Sequence, residues 1–198
     1  MFHQEILAHF IESDGAVFRR VMECVGAPVL EKGEPGRQYV MGVDWGKMND
    51  FTVLTVIDLM STKVVHIDRF SEIDYIFQRG RLKNLWEKFN RCAVVAEENS
   101  MGMPVIEELR REGIGVQAFH TSNASKANII ESLALAFERG EIRIPRNDVL
   151  IGELLAFEGN KLASGMTRYA APENMHDDMV MSLALAYWGA SGGSPWLL

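Results

Sequence analysis

Apolar and polar positions change period along the chain, and each change marks an element. Residues 39–58, YVMGVDWGKMNDFTVLTVID, contain two apolar, partly β-branched runs at strand length. Val40, Met41 and Val43 lead into Asp44, so the first strand closes on a carboxylate. Phe51–Ile57 is its expected partner across Gly46–Asp50. Lys63–Phe70 predicts a third strand. Asp74–Asn90 has helical spacing, with Ile76, Phe77, Leu82, Leu85, Trp86 and Phe89 on an apolar side. Arg79, Arg81, Lys83 and Lys88 make its polar side, read as solvated in the first instance and as phosphate-facing in the second. Cys92–Glu97 is a compact strand that again ends in acid, with Glu98 beside it.

Farther on, Pro104 suits the first turn of a helix over Val105–Glu112, which Gly113 stops. Gly115–His120 is a fifth strand, and Ser125–Arg139 a strongly apolar helix closed by Gly140. Glu141–Pro145 is extended and Asp148–Phe157 helical. Lys161–Tyr169 carries Ser164-Gly165 between two extended arms, the pattern of a small hairpin. His176–Trp188 begins with Asp177-Asp178, continues as an apolar helix and is expected to end at Gly189. Three strands in meander followed by alternating helices and strands give an α/β fold in three layers. The central sheet is mixed, five-stranded or larger, with its second strand antiparallel, helices on both faces and the small hairpin attached.

Residues 1–36 differ from this. Glu5–Phe10 and Val17–Val25 have helical spacing, but Gly15, Gly26, Pro28, Gly33, Pro35 and Gly36 interrupt it. They are read as a connector, residues 37–190 as the domain and 191–198 as a flexible tail. No apolar run reaches membrane-spanning length and Met1–Phe10 lacks the features of a signal peptide. Cys24 and Cys92 are the only cysteines of 198 residues, far apart, and read as small buried thiols of an intracellular protein. The formal net charge of −7 argues against binding of nucleic acid by bulk electrostatics, yet leaves room for a nuclease whose catalytic acids lower the total beside a local basic groove.

The acids therefore decide the chemistry. With the first and fourth strands parallel neighbours, Asp44 and Glu97 leave the sheet at one carboxyl edge, where ligands of open α/β sheets bind. A helix start aimed there would add Asp177 and Asp178. Each acid alone has a plain role in a turn or at a helix N-terminus. Together, without Lys or Arg among them, they would repel, and two divalent cations about 3.5–4 Å apart would relieve this and support in-line displacement at a phosphodiester. All-oxygen ligation points to Mg²⁺ or Mn²⁺.

VDWG with the following Asp50, VVAEENSMGMPV, SKANIIESLALAFERGEIRIP and HDDMVMSLALA together resemble the nuclease domain of tailed-phage large terminase subunits. The resemblance covers roughly Tyr39 to Gly189, and HDDMVMSLALA is its most specific part. It implies a ribonuclease H-like fold and a two-metal endonuclease that cuts concatemeric viral DNA during packaging in the host cytoplasm. It places Asp44, Glu97 and Asp178 as catalytic metal ligands and Asp177 and Asp50 as accessory acids. Glu97 takes precedence over Glu98 because it holds the acid's place before the turn, and strand alternation sends the two to opposite faces. The implied partners are double-stranded DNA without sequence preference, the terminase ATPase domain, the small terminase subunit and the portal, with no membrane. Lys161 and Arg168, on the hairpin arms, are the candidate DNA contacts.

The P-loop of the terminase motor has no counterpart in the sequence; Gly42–Lys47 has the wrong spacing and lacks Ser or Thr. The expectation is a C-terminal nuclease part without its ATPase. Two alternatives stand beside it. GVDWG also resembles the phosphate loop of sugar kinases and actin-like ATPases, and a ribonuclease H-like module could serve binding alone.

Overall fold

The computed structural model describes residues 16–46, 51–71, 74–99, 102–162, 165–173 and 175–193. Its centre is a five-stranded sheet in the order β3-β2-β1-β4-β5, formed by β1 (Tyr39–Asp44), β2 (Thr52–Asp58), β3 (Lys63–Phe70), β4 (Ala93–Glu97) and β5 (Val116–Phe119). The β1–β2 and β2–β3 pairs are antiparallel, while β4 runs parallel to β1 and β5 parallel to β4. Every residue of β1 and β2 is buried, which explains why these strands read as continuous apolar runs rather than alternating ones.

Alternation still sorts the two faces. Val40, Val53, Ile57 and Val95 meet α3 (Asn123–Arg139), α4 (Asp148–Ala156) and α5 (Asp178–Trp188) in one apolar cluster. Met41, Val43, Leu54, Val56 and Val94 meet α1 (Tyr75–Lys88) and α2 (Gly102–Arg111) in the other. The antiparallel pair β6 (Glu158–Lys161) and β7 (Thr167–Ala170) forms the expected hairpin; Ser164 of its turn lies outside the described residues.

Gly42 sets how closely α5 approaches β1. A Cβ there would lie 2.2 Å from the Ser182 carbonyl oxygen and 2.3 Å from the Ala186 nitrogen. The space is used by a hydrogen bond from Ser182 Oγ to the Gly42 carbonyl at 3.0 Å, and the same hydroxyl lies 2.9 Å from Thr55 Oγ1. The helix is thereby pinned to the two central strands.

Three expectations are corrected. In α1 the buried stripe is Gln78, Leu82 and Leu85, continued by Phe89, whereas Ile76 and Phe77 are 66% and 69% exposed. At 100° per residue Ile76 falls almost opposite that stripe and Phe77 a quarter-turn from it. The basic side of α1 is the solvated face expected, with its charges in surface ion pairs: Arg79 pairs with Glu108 and Glu112, Arg81 with Asp68, and Lys83 with Glu112. Val17–Val25 holds only a 3₁₀ turn at Met22–Cys24, because Arg20 has φ of +58° and breaks helical continuity. Gly189 does not stop the last helix. It is right-handed helical and leads into a wider turn over Gly189–Gly193; a side chain at Gly189 would strike Val40 and Val95 at 2.7 and 2.9 Å. The rest of the expected tail, residues 194–198, lies outside the described residues.

Residues 16–36 lie against the domain. Phe18, Val21 and Cys24 are buried in the α3–α4–α5 core, and Cys24, Gly26 and Ala27 exchange backbone hydrogen bonds with Ile144. Both thiols are buried, and burial pushes the Cys92 thiol up to about 12. No helix among the described residues is long and apolar enough to cross a membrane.

Candidate active site

The strand register fixes the first two acids. Val43 pairs with Ala96 across the parallel β1–β4 ladder, so Asp44 and Glu97 leave the sheet side by side at its carboxyl edge. By strand alternation both project toward the face that α5 covers, the face of Val40, Gly42 and Val95. Glu98 does not join them: its N–H continues the ladder to the Phe119 carbonyl at 2.7 Å, and alternation turns its side chain to the other face.

The start of α5 supplies the other pair. Asp177 occupies the N-cap position and Asp178 the first helical position. Ordinarily an N-cap side chain would satisfy the helix's first N–H groups. Here Asp177 makes no such bond, and Glu153 of α4 does so instead, accepting from Met179 N at 2.9 Å and Val180 N at 3.3 Å. Both aspartates are thereby released from capping. Asp177 takes an ion pair with Lys126 of α3 at 3.0 Å. Asp178 is buried, accepts from the Phe51 N–H at 3.4 Å and lies 3.6 Å from His176 Nδ1. Glu97 accepts from Asn99 Nδ2 at 2.8 Å, while Asn99 Oδ1 accepts from Gly102 N at 2.7 Å and so ties the carboxylate to the start of α2.

Asp44 shows what the gathering costs. Burial, then the charges of Glu97, Asp178 and Asp177, and last a hydrogen bond to Glu97 hold its carboxyl well above the ordinary range. Gathered at one edge without an intervening Lys or Arg on Asp44, these acids oppose its ionisation. In this arrangement no three His, Cys, Asp or Glu side chains among the described residues stand so that together they could hold a metal ion. Donor chemistry is another matter. The groups that perturb Asp44 are all carboxylates, the hard oxygen set that divalent cations of the Mg²⁺ type take.

Of the other expected residues, Asp50 lies outside the described residues. Lys161 and Arg168 are exposed on opposite arms of the hairpin. Lys161 faces Thr167 and Arg168 faces Asn160, so the two basic side chains leave opposite faces of the ribbon. Tyr169 anchors the hairpin to α3 through Glu131 at 2.9 Å, five residues along from Lys126, or about 7.5 Å of helix. Three supporting residues, Lys126, Asn99 and Glu153, escape sequence reasoning. Asn99 alone leaves a signal, as an amide two residues beyond the acid in the turn; the other two act across distant elements.

The fold and the edge define a class: an α/β domain whose buried carboxylates meet at the carboxyl ends of parallel strands. Residues 41–188 match the profile of the terminase RNase H-like domain, and the chain belongs to that family. It is 33% identical over 195 residues to the large terminase subunit of Thermus virus P23-45, covering 94% of this chain and 40% of that protein. The chain thus spans well under half the length of the curated relatives it matches. Among solved structures it resembles the large terminase nuclease of thermophilic phage G20c with bound magnesium, at 32% identity and a TM-score of 0.82, covering 89% of this chain and 98% of that one. The same phage nuclease is also known with bound cobalt. The nuclease domain of the Thermus phage P74-26 large terminase matches at 32% identity and a TM-score of 0.79, covering 90% and 97%.

Proposed function

We propose that this chain is the nuclease part of a large terminase subunit, a metal-dependent DNA endonuclease that cuts concatemeric viral DNA during genome packaging. Asp44 carries the reading. An acid raised in pKa first by its burial and then by three neighbouring carboxylates is unfavourable as structure and useful as a cation site. Membership of the terminase family sets aside the sugar-kinase and actin-like alternative, and the full set of acids argues against a purely binding module.

Asp44, Glu97 and Asp178 would hold two Mg²⁺ or Mn²⁺ ions, with Asp177 and Asp50 as accessory acids. Bound divalent ions supply an activated water and charge stabilisation for a leaving 3′ oxygen. The chain's own residues prepare this. Asn99 orients the Glu97 carboxylate, Lys126 holds Asp177, and Glu153 occupies the N–H groups of α5 that would otherwise draw the aspartates inward. Double-stranded DNA, bound without sequence preference, would lie along this edge with Lys161 and Arg168 as phosphate contacts. The ATPase domain, small subunit and portal are the partners implied, residues 1–36 the connector, residues 37–190 the nuclease domain, and the infected host cytoplasm the place.

The test is nicking of supercoiled plasmid with Mg²⁺ or Mn²⁺. Asp44→Asn and Asp178→Asn should each abolish cutting while the protein stays folded. Asp44→Asn should also melt higher than wild type in EDTA, because it removes a carboxyl whose ionisation the fold opposes. Added Mn²⁺ should raise the midpoint of wild type and not of the variant. Cutting at the wild-type rate by either variant would overturn the assignment.

A further inference from the structure

The row of residues that carries the acids also carries a cation. Asp44 pairs with Val53 of β2, and Val53 with Arg69 of β3. Partners across paired strands project from the same face, so Arg69, Asp44 and Glu97 stand on one line across the sheet, all toward the layer of α5. At about 4.8 Å per strand, the Arg69 backbone lies about 10 Å from that of Asp44.

Arg69 differs from the cations of α1 and from Lys126 of α3. Arg79, Arg81, Lys83 and Lys126 are each paired to a carboxylate. Arg69 has no ion pair among the described residues, and its Nε is buried without a hydrogen-bond partner. Its guanidinium carbon lies over the Phe51 ring, with Cζ 3.2 Å from the centroid. Phe51 is itself tied to the acids: its N–H meets Asp178, and its ring packs edge-on against His176 at 5.4 Å between centroids. The carboxylate that Arg69 influences by charge, Glu153, spends one oxygen on the N–H groups of α5. Glu153 Oε1 is buried without a partner, so the two groups stand near each other without bonding.

A guanidinium without an ion pair, with one face on an aromatic ring and its Nε turned inward, keeps its two Nη groups for an external acceptor. That geometry suits a phosphate, which Arg takes through two parallel N–H bonds, and the ring shields the contact from water. We propose that Arg69, seated on Phe51, anchors a backbone phosphate of the DNA strand flanking the phosphate that lies over Asp44, Glu97 and Asp178. The assignment rests on the nuclease reading above. It gives the edge an asymmetry, with acids at the centre of the sheet and a phosphate anchor at the β3 side. The strand would then run across the row, in the direction β3 to β4.

The experiment measures binding of a fluorescein-labelled duplex by anisotropy across a NaCl series, with Asp44→Asn as the non-cutting background. Adding Arg69→Ala should weaken binding about tenfold at low salt and lower the slope of log K against log salt by about 1. Arg69→Lys should keep the slope, since the charge remains, while losing part of the affinity with the fork. In the wild-type background, calorimetric Mn²⁺ affinity should not change on Arg69→Ala, which separates a phosphate contact from collapse of the acidic edge. Should the alanine variant not fold, Arg69→Gln replaces it with the same expected slope. A slope unchanged on charge removal, in a chain that cuts plasmid, overturns the Arg69 assignment alone. A wild-type chain that cuts with neither Mg²⁺ nor Mn²⁺ overturns the nuclease reading and this assignment together.

Discussion

Glu97 and Glu98 differ by one position, and the strand period turns that into a difference of face. Glu97→Gln should remove cutting as fully as Asp44→Asn, whereas Glu98→Gln should retain most of it; the reverse ranking in a plasmid assay would mean the acidic row is misaligned by one residue. Glu153 gives a second prediction. Only 5% exposed, it is pushed up to about 7, first by burial, with its bonds to Met179 and Val180 pulling the other way. A carboxyl with a raised folded pKa binds more protons in the folded than in the unfolded chain. Stability is therefore greatest below the unfolded value near 4.5 and declines as pH rises to about 7, where the loss is complete. Gln at this position keeps an acceptor for the two N–H groups and cannot ionise. Urea midpoints in EDTA at pH 5 and pH 8 should show wild type losing about 1–3 kcal/mol more than Glu153→Gln across that interval; parallel profiles would show that Glu153 does not ionise at a cost. The site's acids were legible in the sequence because each ends a strand or opens a helix. Glu153 was not, because a glutamate inside the apolar helix DVLIGELLA has no local mark that its carboxylate caps a different helix.

At the scale of elements, strands were read more accurately than helix faces. β1 and β3 stand where their patterns place them, since period two is a local signal; the hairpin forms too, but its first arm, Glu158–Lys161, begins three residues ahead of the expected Lys161–Tyr169. The apolar pattern extends the buried side of α1 to Ile76 and Phe77, which are apolar yet lie off the stripe that Leu82 and Leu85 continue. Its basic side was open to either reading until acids from β3 and α2 were in place beside it. The hairpin is the element whose function can be measured. Lys161 and Arg168 leave opposite faces of a ribbon tied to α3 through Tyr169, close along that helix to the Lys126–Asp177 pair. Replacing both by Ala should weaken duplex binding uniformly across sequences and lower the salt slope by about 2, each residue contributing separately because the two share no partner. Cutting should fall with binding while Mn²⁺ affinity stays. A double variant that cuts plasmid like wild type at low and moderate salt would exclude the hairpin as a DNA contact.

For the whole molecule the question is where the folding unit begins. The family match starts at residue 41, and the pattern of Gly and Pro sets residues 1–36 apart. Packing argues for a larger unit. Phe18 is 2% exposed, with its ring 5.7 Å from that of Phe137 and 5.6 Å from that of Phe157. Val21 and Cys24 fill the same cluster, and Val25 bridges Ile144. This segment closes the layer of α3, α4 and α5, the last of which carries Asp177 and Asp178. A connector that merely joins two domains would leave this core intact when removed. One that completes the core would open a cavity under α3 and α4, and loss of the Phe18 side chain alone should cost about 3–5 kcal/mol. Removing residues 1–36 should therefore lower the thermal midpoint by on the order of 10 °C, and Phe18→Ala in the full chain should reproduce much of that loss. Plasmid cutting at a temperature well below the new midpoint should survive Phe18→Ala, because none of the described residues of this segment is bonded to the acids. Equal midpoints for the full and shortened chains would place the start of the folding unit at Arg37.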